Sequence, residues 1–315
     1  MLVGIDIGGT KTAVVLSASV PDIVWREEFP TLPAQGPKHA VETIIALVRK
    51  AMQQAKEPVR AIGVSCGGPL DRDAGTIQSP PNLPTWKNVE IVRILREEFG
   101  LPCALENDAN AGAIAEHRYG AGRGCRHMVF LTMGTGLGAG LILNGEIFHG
   151  ASNMAGEIGH VRLTTDGPMG YNKIGSVEGW ASGGGMALHA AETIRKAQMA
   201  GEVTSLTNVL ERLTARHIGE ALVAGDAVAQ RIIETTGQKL GNACAILVDI
   251  LNPERVVVGG LALRLGDALL QPARQRMHEE ALEASSSICE IVPAALGERI
   301  GDVAALCIAE QALSN

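Results

Sequence analysis

The sequence predicts an α/β protein of two domains, and three observations carry that expectation. Leu2-Val-Gly-Ile-Asp-Ile-Gly-Gly-Thr-Lys-Thr-Ala-Val-Val-Leu16 reads as an apolar strand, a glycine turn and a β-branched return strand. Val129-Phe-Leu-Thr-Met-Gly-Thr-Gly-Leu-Gly-Ala-Gly-Leu-Ile-Leu143 repeats the design, with Thr132 in the place of Asp6 and Gly134-Thr135-Gly136 in the place of Gly8-Gly9-Thr10. A chain of 315 residues is also long for a single core. Two such hairpins suggest an internal duplication with a phosphate held between the halves.

The first hairpin has phosphate-binding chemistry. Gly8 and Gly9 permit a tight turn and close approach of a ligand. Backbone N–H groups in such a turn can point into one concavity and hold an anion. Thr10 and Lys11 add a hydroxyl and a cation, and Asp6 at the strand end could position a hydrated metal ion. It is not the P-loop pattern, and an ordinary glycine hairpin is the bland reading of this stretch alone.

The remaining elements follow in order. Asp22 to Phe29 reads as a third strand, and Pro37 to Lys56 as an amphipathic helix with Ala40, Ile44, Leu47, Val48 and Ala51 on one face. Val59 to Ser65 is a buried strand running into Cys66-Gly-Gly-Pro69 and a proline-rich loop to about Lys87. Asn88 to Phe99 reads as a helix capped by Asn88. Leu101 to Leu105 is a short strand that delivers Glu106-Asn107-Asp108, and a helix continues to Tyr119. After the second hairpin come a turn or short strand at Gly145 to Gly150 and a strand at about Val161 to Leu163. A polar, glycine-rich stretch to Gly175 follows, then a helix from about Gly184. The segment from about Ala190 to Leu251 is expected to be helical with a break near Gly225. A third glycine turn, Gly259-Gly260, ends an apolar strand and could carry the adenosine end of a nucleotide. A helix from Leu261 to Glu283, a strand from Ile288 to Val292 and a closing helix from Gly301 to Leu313 complete the chain.

Composition narrows the class. No apolar stretch approaches bilayer-spanning length, and no basic segment precedes the first apolar run, so neither a membrane protein nor a secretory leader is expected. Six scattered cysteines without a C-x-x-C pair read as reduced thiols of a cytoplasmic protein. A net charge of −7 argues against nucleic acid as a partner.

Asp6-Ile-Gly-Gly-Thr-Lys11, Glu106-Asn-Asp-Ala-Asn110, Thr132-Met-Gly-Thr-Gly-Leu-Gly138 and Gly156-Glu-Ile-Gly-His160 stand in the order and spacing of the ROK family. That family contains bacterial sugar kinases and sugar-responsive repressors, and the chain resembles it from residue 1 to about residue 312. The resemblance implies the actin-like, ribonuclease-H-like fold, in which two α/β domains close over a cleft. It puts residues 1–112 with 301–315 in a smaller domain and 113–300 in a larger one, with a hinge near 108–115. The repressors of the family carry a helix-turn-helix ahead of the first phosphate motif. Here the first strand begins at residue 2, so none is expected.

The same resemblance assigns roles. It puts the catalytic aspartate, the general base for a sugar hydroxyl, at Asp108; read without the other motifs, Asp108 is more readily a cap for the helix from Ala109. Sugar contacts fall on Gly68, Asn82, Asn107, Asp108, Glu157, His160 and Glu178. ATP phosphates fall to Asp6, Gly8, Gly9, Thr10 and Lys11 and to Thr132, Gly134, Thr135 and Gly136, with Gly259 and Gly260 beyond and Mg²⁺ held by Asp6 through water. Most ROK kinases also carry three cysteines that, with the histidine, bind a structural zinc. Here Met169, Tyr171 and Ser176 stand in their places, and one histidine cannot make a closed four-ligand site, so no zinc is expected. The expectation is an ATP- and Mg²⁺-dependent hexose or N-acetylhexosamine kinase, forming a homodimer. A non-catalytic sugar-binding regulator is the alternative.

Overall fold

The structure is a computed structural model described over residues 1–314. The chain divides into two compact units, Met1–Gly120 with the segment from Glu298 onward, and Ala121–Gly297.

The first unit opens with β1 (Leu2–Ile7), β2 (Lys11–Ser17) and β3 (Trp25–Pro30), followed by α1 (Pro37–Gln54) and β4 (Ala61–Cys66). A small hairpin of β5 (Leu70–Asp71) and β6 (Thr76–Ile77) precedes α2 (Ile91–Phe99), β7 (Cys103–Asn107) and α3 (Asp108–Tyr119). The sheet order is β3-β2-β1-β4-β7, with β1 antiparallel to β2 and parallel to β4. β4 is buried along its whole length and β1 everywhere but Asp6, which is why both are apolar without alternation. β3 alternates between exposed and half-buried residues, as an edge strand does. α1 buries Ala40, Val41, Ile44, Leu47, Val48 and Ala51, a stripe at helical spacing.

The C-terminal helix (Ile300–Ala312) belongs to this unit and buries most of its residues, Val303 to Ala309 without a gap. It lies on β1 and β4 at a pair of glycines that are in register with each other, Gly4 and Gly63. Their missing side chains let the helix main chain rest on the sheet.

The second unit opens with β8 (Met128–Met133), β9 (Leu137–Leu143) and β10 (Glu146–Ile147). A two-stranded hairpin, β11 (Met169–Gly170) and β12 (Lys173–Ile174), leads to α4 (Val177–Ala181), α5 (Gly183–Met199), α6 (Ala215–Val223) and α7 (Ala227–Leu251). β13 (Arg255–Val258), α8 (Leu261–Leu265), α9 (Asp267–Glu280), α10 (Glu283–Ser286) and β14 (Glu290–Pro293) complete it. The sheet order is β10-β9-β8-β13-β14, again with the opening strand antiparallel to its hairpin partner and parallel to the next. Each strand has a counterpart in the first unit, so the duplication suggested by the two glycine hairpins extends to the whole sheet. α7 meets α9 through Gly237 and Gly241, four residues apart, where a Cβ would lie 2.5 Å from the carbonyls of Leu269 and Ala273.

Several expectations need correction. Asn88 does not cap α2: it has φ +52, and Val89 exchanges two backbone hydrogen bonds with Ile77, so the chain stays extended until Glu90. Val161–Leu163 is not a strand, because only Arg162 makes a bridge, to Ser176. The helical stretch to Leu251 breaks three times. Thr204, Thr214 and Asp226 each accept backbone N–H bonds and start a new segment, the first a 3₁₀ stretch, Ser205–Arg212. The helix from Leu261 is interrupted at Gly266, which has φ +52. A boundary at 112 would cut α3, whereas the helix is continuous to Tyr119 and the units part after Gly120. No helix among the described residues is long and apolar enough to cross a membrane.

Candidate active site

In the first unit, the turn after β1 is braced by a threonine just past the end of β3. Thr31 donates its hydroxyl to the Gly8 carbonyl at 2.7 Å and its backbone N–H to the Thr10 carbonyl at 3.0 Å. Having given its proton to Gly8, the Thr31 hydroxyl accepts from Thr12 at 2.9 Å. Lys11 points its ammonium at Glu28, 3.0 Å away, and Glu28 also pairs with Arg26. The cation expected to meet a phosphate is thus paired with a carboxylate in this structure.

Glycines then bring the polar groups together. A Cβ on Gly9 would lie 2.7 Å from the Asn82 Cβ, so only glycine admits that loop residue. A Cβ on Gly67 would sit 3.7 Å from Asp108 Oδ2 and 3.8 Å from the Asn82 amide, and one on Gly68 3.1 Å from Asn107 Nδ2. Gly9, Gly68, Asn82, Asn107 and Asp108 therefore converge within one unit. Gly67 joins them, and sequence reasoning passed over it although it adjoins Gly68.

Asp108 is exposed at the first position of α3. Asn107, not Asp108, occupies the cap position and accepts from the Ala109 N–H at 3.0 Å; Asp108 Oδ1 shares that donor at 2.8 Å, while Oδ2 is turned toward Gly67. Beneath them Glu106, 1% exposed, accepts from the Asn107 backbone N–H, the Asn110 amide and Arg72. This buried carboxylate ties the strand end to the helix start, and its charge is compensated as burial requires.

The Asp6 carboxyl is displaced upward. Burial, then the carboxylates of Asp302 and Asp108, push it up to about 7, against the pull of Lys11 and Arg26. Asp302 opens the C-terminal helix and accepts from Arg26 at 2.8 Å. A Cβ on Gly301 would fall 2.2 Å from Asp6 Oδ2, so the helix start and the carboxylate are in direct contact. Gly301 and Asp302 were read only as the start of a closing helix. The glycine–acid pair opening that helix was the available signal.

In the second unit, the turn after β8 is braced by a helix. The N–H groups of Gly183 and Gly184, which open α5, donate to the carbonyls of Gly134 and Thr135 at 2.8 and 3.1 Å. Gly260, with φ +63, lies against the same turn, where a Cβ would be 2.1 Å from the Met133 carbonyl. Gly259 lies over Phe130, so this glycine pair packs the hairpin.

Glu157, His160 and Glu178 come together in this unit. The Gly156–His160 loop lies along β9. The Gly156 carbonyl accepts from Ala139 N–H, and Cβ atoms on Gly156 and Gly159 would strike the carbonyls of Ala139 and Leu137. Glu178 accepts from the Leu137 N–H at 3.1 Å and from the backbone of Tyr171. Burial holds its carboxyl above the usual range, opposed by those hydrogen bonds and by His160. Ser176 caps α4, accepting from Gly179 and donating to the Gly170 carbonyl, while Met169 and Tyr171 are exposed. Trp180 is turned away into its own niche, bonded to Thr164 and covered by Lys239.

Comparison with known proteins identifies the family. A glucokinase of Halalkalibacterium halodurans is 34% identical over 95% of this chain and 92% of its own. A ROK family glucokinase from Streptomyces griseus, solved with glucose and AMPPNP, superposes with a TM-score of 0.82 at 30% identity, covering 98% of this chain and 99% of that one. A xylose repressor of Caldicellulosiruptor bescii is 29% identical over 90% of this chain and 71% of its own. The ROK family model matches residues 2–312, and the chain belongs to the ROK family, with its actin-like ATPase fold.

Proposed function

We propose that the protein transfers the γ-phosphoryl group of ATP to a hydroxyl of a monosaccharide, the 6-hydroxyl of a hexose or N-acetylhexosamine. The observation that carries this reading is the exposed Asp108 carboxylate at the start of α3, set beside Asn107, Asn82 and the Gly67–Gly68 backbone. In the proposed step the sugar oxygen bonds to the γ-phosphorus, the bond to ADP breaks, and the hydroxyl proton passes to Asp108. Asn107 and Asn82 orient the hydroxyls in the first unit, and Glu157, His160 and Glu178 those presented to the second. The turns at Gly8–Thr10 and Gly134–Gly136 are the proposed phosphate contacts, with Gly259 and Gly260 toward the nucleotide.

The described residues form no closed cluster of three or more acidic, histidine or cysteine ligands, and the proposed divalent cation would instead be held loosely, beside Asp6. Burial, with the carboxylates of Asp302 and Asp108 beside it, lifts the Asp6 carboxyl to about 7, and a cation there would relieve the charge the three acids share. Mg²⁺ there would offset charge on the transferring phosphoryl group. Asp6 would hold it through water.

The test is ADP release with ATP and Mg²⁺ over a panel of hexoses and N-acetylhexosamines, beside Asp108→Asn. The expected result is sugar-dependent turnover that falls by about 10²–10⁴-fold in the variant while sugar affinity stays close to wild type. Sugar binding without turnover in the wild type would overturn the kinase reading and leave a sugar-responsive regulator, a reading that the repressor relative favours.

We propose further that the Met169–Ile174 hairpin holds no zinc. Its order comes from Ser176, Lys173 and Tyr171, which bond to Gly170, His160 and Glu178. Incubation with EDTA is expected to leave Tm within about 1 °C, where a structural zinc would be worth many kcal/mol. Stoichiometric zinc by elemental analysis would sink this proposal.

A further inference from the structure

β11 and β12 are joined by two residues, Tyr171 and Asn172, with Gly170 paired to Lys173 across the ladder. Both turn residues have positive φ, +51 and +57. Asparagine tolerates that region and glycine prefers it; a tyrosine there is strained. Burial of the ring does not explain its presence, since Tyr171 is 46% exposed. Its contacts do. The Tyr171 ring lies on the His160 imidazole, with centroids 4.1 Å apart and planes inclined by 31°. Its backbone N–H donates to the Glu178 carboxylate.

We propose that Tyr171 is a positioning residue for sugar recognition: its ring fixes the His160 imidazole while its main chain fixes Glu178. The inference rests on the proposed role of His160 and Glu178 as sugar ligands. The rest of the hairpin is arranged to hold this residue in place. Lys173 Nζ donates to the His160 carbonyl at 2.7 Å, so the backbone beneath the imidazole is tied to the same hairpin. Ser176 Oγ donates to the Gly170 carbonyl at 3.1 Å and caps the helix that carries Glu178. Glu178 takes its second backbone donor from Leu137, at the start of β9, so its carboxylate is fixed from two elements. Among the described residues none hydrogen-bonds a His160 ring nitrogen, and the stacked ring supplies the restraint on its plane. An imidazole free to rotate would offer its donor and acceptor to a sugar hydroxyl in only a fraction of its orientations, and the apparent affinity falls by that fraction.

The test uses the full chain with Tyr171→Gly and Tyr171→Phe. Glycine relieves the φ strain and keeps the backbone N–H, so it removes only the ring. Expected for Tyr171→Gly is a Tm equal to or above wild type and sugar affinity by calorimetry reduced about tenfold or more. Nucleotide affinity is expected to stay unchanged, and KM for sugar to rise while kcat stays within about threefold, the pattern of lost uniform binding. The His160 ring-proton resonances should lose the ring-current shift of the stacked tyrosine. Tyr171→Phe should restore both affinity and resonances, because the stack and not the hydroxyl is at issue. Wild-type sugar affinity in Tyr171→Gly, or unmoved His160 resonances, would overturn the proposal. Absence of sugar binding in the wild type would instead overturn the functional reading beneath it, and the His160 resonances would still decide whether the ring holds the imidazole.

Discussion

Gly63→Ala is expected to cost the first unit about 3 kcal/mol or more in unfolding free energy, at the upper end of what overpacking does. Gly63 has ordinary strand φ, so alanine fits its backbone and the cost is steric alone. The added Cβ would lie 2.1 Å from the Ala305 carbonyl oxygen and 2.2 Å from the Ala309 nitrogen. Both are main-chain atoms of a helix, so no rotamer change relieves the contact. The helix must lift by more than an ångström, and close packing in its interface is lost along Val303–Ala309. Gly4→Ala on the adjacent strand is expected to cost less. Its Cβ meets a side-chain methyl of Val15 at 2.9 Å and a helix nitrogen only at 3.0 Å. Urea unfolding of both variants checks the order, and equal or reversed costs would refute this account of helix docking. The damage should also reach the site, because the same helix begins with Gly301 and Asp302 against Asp6.

That linkage marks the limit of what the chain discloses as a string. The two hairpins were legible because strand, glycine turn and strand are local and repeat, and their repetition foretold two sheets of like order. Asp108, Asn107, Glu157, His160 and Glu178 stand out in the sequence through their motifs, and their roles there are the proposal made above. What could not be read were contacts made between distant segments. Gly63 looks like any small residue in a buried strand until a helix some 240 positions later is laid on it, and the same holds for Gly301 against Asp6. Nothing local names Glu28 as a partner for Lys11. Segment ends failed for a different reason. Thr204 and Thr214 are ordinary residues in a helix until their hydroxyls cap the next segment, and capping competes with helix continuation on nearly equal terms. With no zinc cysteines in the loop, packing through Tyr171 could be expected from the sequence to order it and orient His160; the positive φ at that aromatic residue is visible only in three dimensions.

Asp6→Asn is expected to stabilise the metal-free protein at pH 8 while abolishing turnover. The sign follows from the direction of the shift. The folded state holds the Asp6 proton up to about 7, whereas an unfolded chain releases it near the ordinary 3.8. Between those values the native state binds more protons than the unfolded one, so stability falls as pH rises through the window and the full penalty stands above it. A shift of that size corresponds to a penalty of order 3 kcal/mol at pH 8, allowing for the partial exposure of the group. Asparagine carries no charge and nearly the same shape. Wild type and variant should therefore unfold alike near pH 4 and diverge as pH rises, with the variant the more stable. Mg²⁺ with a nucleotide should narrow the gap by stabilising the wild type alone, because a ligand that binds only the native state adds its own free energy. Tm measured from pH 4 to 8, with and without Mg²⁺ and a non-hydrolysable ATP analogue, checks all three statements. A variant less stable than wild type at pH 8 would mean that Asp6 is compensated within the fold, and the argument for a cation beside it would go. A variant that is more stable yet still turns over would separate the charge strain from the chemistry. The expected pairing of stability gained and activity lost is what a carboxylate retained for a ligand rather than for the fold must give.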